Sequence, residues 1–271
     1  MQVKIALIGF GEAASTFAIS AGWGNAATAF DIDPARKDAM SRAQVVAGSS
    51  VRQTLSGASM VLSLVTADQA LNAAQDYAPL LDPQAIWCDM NSVAPETKRT
   101  AAEAVETAGA RYLDIAVLAP VNPAALNVPL LVSGPEGEYV SKRLGALGFT
   151  DCRCVGPEVG RASTVKMIRS VMVKGIEALT DEMMAAARAA GVVEEVLASL
   201  DASEKPRSWA ERAAYNLERI ETHGLRRAAE MEEVAKTLES LGTEPTMTRG
   251  TVARQRAAGE RGQNIRKDRA A

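Results

Sequence analysis

A glycine-rich turn near the start of the chain has the residue types and the spacing needed to hold a dinucleotide. Gly9-Phe10-Gly11-Glu12-Ala13-Ala14 directly follows an apolar run that ends at Ile8. In a G-x-G-x-x-A turn between a strand and a helix, the first glycine permits a tight turn and the second lets the backbone approach a pyrophosphate. The alanine lets the helix pack closely on the sheet, and the helix presents its free N–H groups to the phosphates. The turn therefore predicts that Gly9, Phe10, Gly11, Glu12 and Ala13 contact the cofactor. The alternative is a glycine turn with a purely structural role.

An acidic residue at the end of the next apolar run supports that prediction and bears on the choice of cofactor. Asp31 follows the run Ala27 to Phe30 and stands twenty residues after Gly11. A carboxylate there accepts hydrogen bonds from an adenosine ribose and repels a 2′-phosphate, which favours NAD. Arg36 and Lys37 are close enough in the sequence to attract such a phosphate, so NADP is left open as the second choice.

The order of apolar and amphipathic segments indicates the elements that position these residues. In the first half of the chain, strand-like runs alternate with helical stretches, a pattern typical of a parallel sheet with helices on both faces. From Gly160 to Gly191 the sequence is one long helical pattern, and further helical segments follow it. We therefore predict an α/β protein with an N-terminal Rossmann dinucleotide-binding domain at residues 1–158. An all-helical C-terminal domain would follow at residues 159–271, beginning with an interdomain helix at about 160–190.

Polar residues follow the fourth and fifth predicted strands, at the edge where open α/β sheets bind ligands. Thr66 comes directly after the strand that ends at Val65, and Asn91 and Ser92 come directly after the strand that ends at Met90. We predict that Val65, Thr66 and Asn91 contact the cofactor and that Ser92 contacts the substrate. The alternatives are that Val65 is simply core and that Ser92 caps the following helix.

Four stretches resemble the motifs of one enzyme family. They are the glycine turn, Asp89 to Thr97 (similar to D-x-S-T-x-x-P-x-T), Tyr112 to Val117 (similar to F-x-D-A-P-V) and Gly160 to Lys166 (similar to G-x-x-x-x-x-K). The family is that of the β-hydroxyacid dehydrogenases, such as 3-hydroxyisobutyrate and 6-phosphogluconate dehydrogenases. The resemblance implies an NAD(P)-dependent dehydrogenase that acts on the CH–OH group of a small β-hydroxy acid or related polar alcohol, with Lys166 as general acid and base. By its spacing alone, Lys166 also fits a solvated lysine on an amphipathic helix.

The chain departs from the family at positions that hold the substrate, which indicates a divergent branch. The family follows F-x-D-A-P-V with S-G-G, whose serine and amides bind the substrate carboxylate, whereas Leu118-Ala119-Pro120 stand here and Pro120 has no N–H. Arg169 and Ser170 replace asparagines that follow the family's lysine, and His223-Gly224-Leu225 matches its K-D-L motif weakly. Arg169 would clamp a carboxylate or serve as a surface charge, and His223 would line the cleft or an interface. The predicted substrate-binding residues are Ser92, Leu118, Ala119, Pro120, Arg169, Ser170 and His223.

Two other functions stay open at this point. Imine reductases share this architecture and often lack the lysine, so Lys166 argues against imine reduction without excluding it. The third interpretation is a non-catalytic dinucleotide-binding protein that senses redox state or only oligomerises. A lysine in the cleft would be of little use to such a protein.

The composition argues against several other classes of protein. The 271 residues have a formal net charge of −3, which gives no reason to expect binding to nucleic acid or to an anionic membrane. No apolar run reaches the length of a membrane span, and the first strand starts too early to leave room for a signal peptide, so we expect a cytoplasmic protein. Three cysteines without C-x-x-C spacing and a single histidine argue against a metal site and favour reduced thiols.

The helical segments of the second half predict an oligomer. Segments such as Trp209 to Glu239 carry more apolar face than one α/β domain covers, which favours a homodimer through the helical domain. The last stretch, Arg254 to Ala271, is rich in arginine and lysine. We expect it to be a solvated, frayed terminus, with an arm that reaches over a neighbouring subunit as the alternative.

Overall fold

The computed structural model describes residues 4–203, 206 and 208–268. The chain divides into two compact units, which meet in the sequence between Arg169 and Ser170. The first unit contains an eight-stranded sheet with helices, and the described residues of the second contain helices and connecting turns. The domain boundary expected at residue 158 stays a prediction, since the two units divide a little later, inside a helix.

The sheet of the first unit is parallel except at one pair of strands. Its strands lie in the order β3-β2-β1-β4-β5-β6-β7-β8, and β6 and β7 are antiparallel to each other. The strand order reverses direction at β1, which lies between β2 and β4, and open α/β sheets bind ligands at the carboxyl ends of such strands. The strands are β1 (Ile5–Ile8), β2 (Ala27–Phe30), β3 (Val46–Ala47), β4 (Met60–Ser63), β5 (Ile86–Asp89), β6 (Arg111–Val117), β7 (Leu130–Ser133) and β8 (Cys152–Cys154).

Helices cover both faces of this sheet. They are α1 (Glu12–Ala21), α2 (Lys37–Arg42), α3 (Val51–Leu55), α4 (Ala70–Tyr77), α5 (Pro95–Thr107) and α6 (Gly137–Ala146), and α7 (Arg161–Ala190) begins in this unit. Alternate residues of β1 enter two different apolar cores, since Ile5 and Leu7 belong to one and Ala6 and Ile8 to the other. A strand that is buried on both faces is typical of a covered parallel sheet, so the predicted α/β class is confirmed.

Helix α5 places a lysine in the interior of the protein. The helix begins at Pro95, and its buried face consists of Lys98, Ala101, Ala102 and Val105. These four residues form one stripe of a helix, with the lysine at its head. The side chain of Lys98 is fully buried. Its ammonium group therefore needs partners inside the protein.

The second unit consists of long helices. Helix α7 continues to Ala190 and is followed by α8 (Val193–Ser203), α9 (Trp209–Ser240) and α10 (Thr246–Asp268). Helix α9 begins at a capping box, in which Ser208 and Glu211 each bond to the other's backbone N–H. Helices α9 and α10 lie close together, because a Cβ on Gly259 would be 2.6 Å from the backbone nitrogen of Leu225. Within the described ranges, none of the helices combines the length and hydropathy that crossing a membrane requires.

The prediction of a frayed basic terminus is wrong for residues 254–268, which belong to α10. Small residues explain the error, because glycines and alanines let two helix backbones meet without large apolar side chains. Ala228 on α9 and Ala258 on α10 are almost fully buried, and an ion pair joins Arg256 to Glu232 between the helices. Residues 269–271 of the predicted tail lie outside the described residues.

Candidate active site

The glycine turn between β1 and α1 has the backbone geometry that its sequence predicts. Gly9 has a φ of +84°, and a Cβ there would lie 2.6 Å from the carbonyl oxygen of Leu64, so the position requires glycine. A Cβ on Gly11 would meet no atom within 4 Å, which leaves open space beside the turn. Helix α1 starts at Glu12 without a side-chain cap, so its first N–H groups can bind an anion.

Asp31 lies directly after β2 and holds this turn in place. Its Oδ2 accepts a hydrogen bond from the backbone N–H of the buried Phe10 at 2.6 Å, and its Oδ1 accepts one from the N–H of Asp33 at 2.8 Å. An ionised carboxylate has about four acceptor sites, so Asp31 can also accept hydrogen bonds from a ribose. Asp33 forms an ion pair with Arg36 at 3.4 Å, and this pairing offsets the positive charge of Arg36.

A cavity of about 340 Å³ extends from the glycine turn past Asp31 to α4. Val65 and Thr66 line it, the first half-buried and the second exposed, and their contact with a cofactor stays a prediction. The open turn, the uncapped helix and the carboxylate after β2 fit the pyrophosphate and adenosine of a dinucleotide. The other polar residues of its wall include Asp33, Arg36, Gln69, Asn72, Asp76 and Tyr77.

Glu12 brings a negative charge to the first turn of α1, where a pyrophosphate would bind. Its Oε1 accepts a hydrogen bond from Nδ2 of Asn122 at 2.8 Å, which ties the turn to the loop between β6 and β7. Ala13, the next residue, is half-buried. A carboxylate at this position stabilises the helix through its dipole but repels a phosphate group. Glu12 would therefore oppose a pyrophosphate at this turn, and its contact with a cofactor stays a prediction.

Asn91 follows β5 and has one buried polar atom without a partner among the described residues. Its Nδ2 donates to Oδ1 of Asp89 at 2.8 Å and to Oγ of Ser63 at 3.0 Å, and the carboxylate fixes which amide atom is the nitrogen. Its Oδ1 is buried and accepts no hydrogen bond. Because buried acceptors are normally satisfied, a donor from a ligand, such as a hydroxyl or a carboxamide N–H, fits this position.

Lys166 and Ser92 meet at the carboxyl edge of the sheet, although they are 74 positions apart in the sequence. Lys166 lies in the second turn of α7, and its Nζ donates a hydrogen bond to Oγ of Ser92. Ser92 does not cap α5, because Ala94 occupies the N-cap position of that helix. Lys166 is half-buried and Ser92 is exposed, so a ligand can reach both groups.

The residues that replace the family's S-G-G follow β6. Leu118 and Ala119 are half-buried, and Pro120 is exposed. The N–H of Leu118 donates to the carbonyl of Pro129 at 3.0 Å, so this amide is already committed to the backbone. Arg169 is exposed on α7. Contacts of these four residues with a substrate stay predictions.

The other two predicted substrate residues, Ser170 and His223, belong to the second unit. Ser170 is half-buried on α7, and His223 is exposed on α9. His223 lines a hollow of about 270 Å³ together with Thr222, Arg226 and Gln263. Its place on a helix surface agrees with the exposed alternative, and a role in substrate binding stays a prediction.

Sequence reasoning missed a buried ionic network beside Asn91. Lys98 donates to Oδ1 of Asp89 at 2.8 Å and lies 3.5 Å from Oδ1 of Asp114. Tyr112 donates its hydroxyl to the other oxygen of Asp89 at 2.6 Å, and burial, together with the charge of Asp89, raises the pKa of Tyr112 well above its usual value. The available signals were a lysine on an apolar helix stripe and an aspartate within an apolar strand.

Two family models match the chain. Residues 4–148 match the NAD binding domain of 6-phosphogluconate dehydrogenase, which covers more than half of the chain. Residues 187–258 match a domain of unknown function, DUF1932. The first match contains the glycine turn, Asp31 and Asn91, whereas Lys166 lies between the two matched regions.

Several solved structures are similar over nearly the whole chain. A conserved hypothetical protein from Sinorhizobium meliloti 1021 is 40% identical, with 94% of this chain and 88% of that chain covered and a TM-score of 0.63. A conserved protein of unknown function, described as structurally similar to 3-hydroxyacid dehydrogenases, is 28% identical, with 95% and 98% covered and a TM-score of 0.60. The imine reductase from Myxococcus stipitatus in complex with NADP+ has a TM-score of 0.78 with 96% and 95% covered, but at 16% identity it shares the fold alone.

Proposed function

Because the chain belongs to the family of the NAD binding domain of 6-phosphogluconate dehydrogenase, we propose that it is an oxidoreductase for small β-hydroxy acids or related polar alcohols. This membership confirms the predicted family resemblance and the dinucleotide cofactor. The family consists of NAD(P)-dependent dehydrogenases and reductases. The observation that supports an acid–base reaction is the contact of Lys166 with Ser92 at the carboxyl edge of the sheet, where the ligands of such sheets bind.

The proposed roles follow from the groups at this edge. A bound nicotinamide would supply hydride transfer from and to the substrate carbon. The amine of Lys166 takes the hydroxyl proton as the alcohol becomes a carbonyl, and returns it in the reverse direction. Ser92 accepts a hydrogen bond from Lys166, which leaves its own hydroxyl proton to orient the substrate oxygen. The unpaired Oδ1 of Asn91 would accept a hydrogen bond from the cofactor.

We propose NAD as the preferred cofactor. In the proposed binding mode, Asp31 would face the 2′ position of the ribose, and the cavity wall also carries Asp33 and Asp76. These carboxylates repel a 2′-phosphate. Among the described residues that line this wall, Arg36 carries the positive charge. Its ion pair with Asp33 reduces its attraction for a phosphate. NADP would therefore bind more weakly than NAD.

The test is a panel of β-hydroxy acids and sugar acids with NAD and with NADP, followed by the absorbance of the reduced cofactor. With an active substrate, Lys166→Ala should lower kcat by roughly 10²–10⁴ while the affinity for NAD stays unchanged, because the lysine acts in proton transfer. Lys174→Ala is the matched control, since Lys174 is an exposed lysine on the same helix. Normal turnover by the Lys166→Ala variant would show that the lysine takes no part in proton transfer.

Imine reduction is the second candidate, supported by the region after β6. Pro120 has no N–H, and the N–H of Leu118 is bonded to Pro129, so this segment offers few donors to a substrate carboxylate. Cyclic imines with reduced cofactor belong in the same panel. Turnover of imines without turnover of hydroxy acids would favour this candidate. Tight binding of NAD without turnover of any compound would instead favour a non-catalytic dinucleotide-binding protein.

We also propose that the protein is a homodimer that associates through its helical part. Helix α7 exposes several large apolar side chains, which is unusual for the surface of a monomer. Val171 is 76% exposed and Ile168 is 68% exposed. A second copy would remove these side chains from water. The other exposed apolar residues of α7 include Val165, Met172, Ile176 and Leu179.

A further inference from the structure

The buried Lys98 joins two parts of the first unit. Its Nζ donates to the backbone carbonyl of Asp89 at 2.7 Å and to Oδ1 of the same residue at 2.8 Å. On the other side it lies 3.5 Å from Oδ1 of Asp114. All three side chains are buried, with exposures of 0% for Lys98 and Asp114 and 1% for Asp89. Buried charges persist where partners surround them, so this triad fixes α5 against β5 and β6.

On the first side, Asp89 organises the segment that leads to Ser92. Its Oδ1 accepts hydrogen bonds from the backbone N–H of Asn91 at 3.0 Å and from Nδ2 of Asn91 at 2.8 Å. Its Oδ2 accepts the hydroxyl of Tyr112 at 2.6 Å. Every one of these partners is a donor, which suits an ionised carboxylate. The segment from Asp89 to Ser92 therefore has little freedom to move.

On the second side, Asp114 organises the start of α7. Its Oδ2 accepts the backbone N–H of Ser163 at 2.9 Å, and its Oδ1 accepts the hydroxyl of Ser163 at 2.6 Å. The backbone N–H of Ala162 donates to Oγ of Ser133, which pairs with Asp114 across β6 and β7. Two N–H groups of the first turn of α7 are thus satisfied by the sheet. Lys166 lies three residues after Ser163, about one turn along the helix.

We propose that the buried triad of Asp89, Lys98 and Asp114 is a positioning network, which holds Ser92 through Asp89 and Lys166 through Asp114 so that the two groups meet. The path from Ser163 to Asn91 runs through Asp114, Lys98 and Asp89. Its links are hydrogen bonds, except for the 3.5 Å ion pair between Lys98 and Asp114. Lys98 itself is buried on α5 and contacts neither Ser92 nor Lys166 in this path. The role of the network in turnover rests on the proposed function, whereas its control of the geometry of Lys166 does not.

The test removes the hydrogen bond of this path whose loss should disturb the fold least. Ser163→Ala deletes the hydroxyl that bonds Asp114 but keeps the backbone N–H that bonds the same carboxylate. Ser141→Ala is the matched control, because it deletes another buried serine hydroxyl, one that bonds a helix carbonyl at 2.8 Å within α6. Asp114→Asn is a second variant that keeps the shape of the side chain and removes its charge.

Two measurements separate positioning from stability. The first is the rate at which trinitrobenzenesulfonate modifies Lys166 as a function of pH, read by peptide mass mapping, which needs no substrate. The second is the pH profile of kcat, with the dissociation constant for NAD measured alongside. We expect Ser163→Ala and Asp114→Asn to change the modification rate of Lys166 and to lower kcat by about 10- to 100-fold, with NAD affinity unchanged. Ser141→Ala should match the wild type in all of these.

The outcomes distinguish this proposal from the proposed function. If no compound turns over but Ser163→Ala still changes the reactivity of Lys166, the dehydrogenase proposal fails and the positioning role stands. If Ser163→Ala and Asp114→Asn lower the melting temperature yet leave the modification of Lys166 and the kcat profile unchanged, the network is only structural and the positioning role is overturned.

Discussion

Asp31 accepts the backbone N–H of Phe10 at 2.6 Å, so the acid that follows β2 also clamps the glycine turn that follows β1. The clamp spans 21 positions of the sequence. It connects the residue that would bind the ribose to the backbone that would bind the pyrophosphate. A substitution of Asp31 can therefore act on cofactor selectivity and on turn geometry, and the two effects need different variants to separate them.

Asp31→Asn should raise the preference for NADP over NAD. Asparagine keeps one oxygen that can accept the N–H of Phe10, but it removes the charge that repels a 2′-phosphate. A loss of about 1 kcal/mol of repulsion corresponds to roughly fivefold in the ratio of kcat/KM for the two cofactors. Asp31→Ala loses both clamp bonds as well, so it should also weaken NAD binding. Unchanged ratios in both variants would mean that Asp31 does not face the ribose.

Glu12→Gln should tighten the binding of NAD. The substitution removes a negative charge beside the expected pyrophosphate and keeps an oxygen that can accept the hydrogen bond from Asn122. About 1 kcal/mol of Coulomb repulsion between nearby charges in water predicts a dissociation constant lower by roughly fivefold. The gain should shrink at high ionic strength, because salt screens exposed charges. Calorimetric titration of the wild type and the variant with NAD at two salt concentrations measures both effects. If the variant binds NAD more weakly than the wild type at low salt, the pyrophosphate does not lie beside Glu12.

The glycine turn and the sheet could be predicted because their signals are local. Gly9, Gly11 and Asp31 have roles that follow from spacing along the chain, and a buried parallel strand has a recognisable apolar run. Lys98 could not be predicted in the same way. Its burial depends on Asp89 and Asp114, which lie on two different strands and meet the lysine only in the folded sheet. The spacing of Lys98 from Ala101, Ala102 and Val105 fits one helix face, but it does not supply the partners of the lysine.

The helical structure of residues 254–268 was not predicted for a related reason. Residues 254–268 contain many arginines and few large apolar residues, which is typical of a solvated terminus. The helix forms because it packs on α9 through small residues, and at Gly259 a side chain would meet the backbone of the neighbouring helix. Contacts between backbones leave no apolar periodicity in the sequence. Close helix pairs of this kind are therefore hidden from pattern reasoning.

The proposed dimer predicts a twofold mass in solution. Light scattering should give twice the chain mass of 28.6 kDa at micromolar concentration. Val171→Glu should shift the protein toward the monomer, because it places a charge on an apolar surface that a partner would cover. Lys174→Glu is the matched control, since it changes an exposed polar residue of the same helix. A wild-type protein that scatters as a monomer would contradict the proposal.

Glu182 on α7 caps the start of α10 and should make the stability of the helical unit depend on pH. Its Oε2 accepts the N–H of Met247 at 2.6 Å, and its Oε1 accepts the N–H of Thr248 at 2.9 Å and the hydroxyl of Thr248 at 2.6 Å. Burial raises the pKa of Glu182, but the hydrogen bonds from Thr248 and Met247 and the nearby charge of Arg249 together lower it by more. The net pKa is therefore below its ordinary value.

A lowered pKa in the folded state means that the carboxylate stabilises the fold above its unfolded pKa, and that this stability is lost as the pH falls through the folded pKa. Glu182→Ala should lower the free energy of unfolding at neutral pH by about 1–2 kcal/mol, the usual cost of losing a helix cap. The difference between wild type and variant should shrink in acid, because protonation removes from the wild type what the substitution removes from the variant. Thermal melting followed by circular dichroism at neutral and acidic pH measures this difference. A gap between the two proteins that stays constant down to about pH 2, well below the ordinary pKa of a glutamate, would show that the charge of Glu182 contributes nothing to the cap.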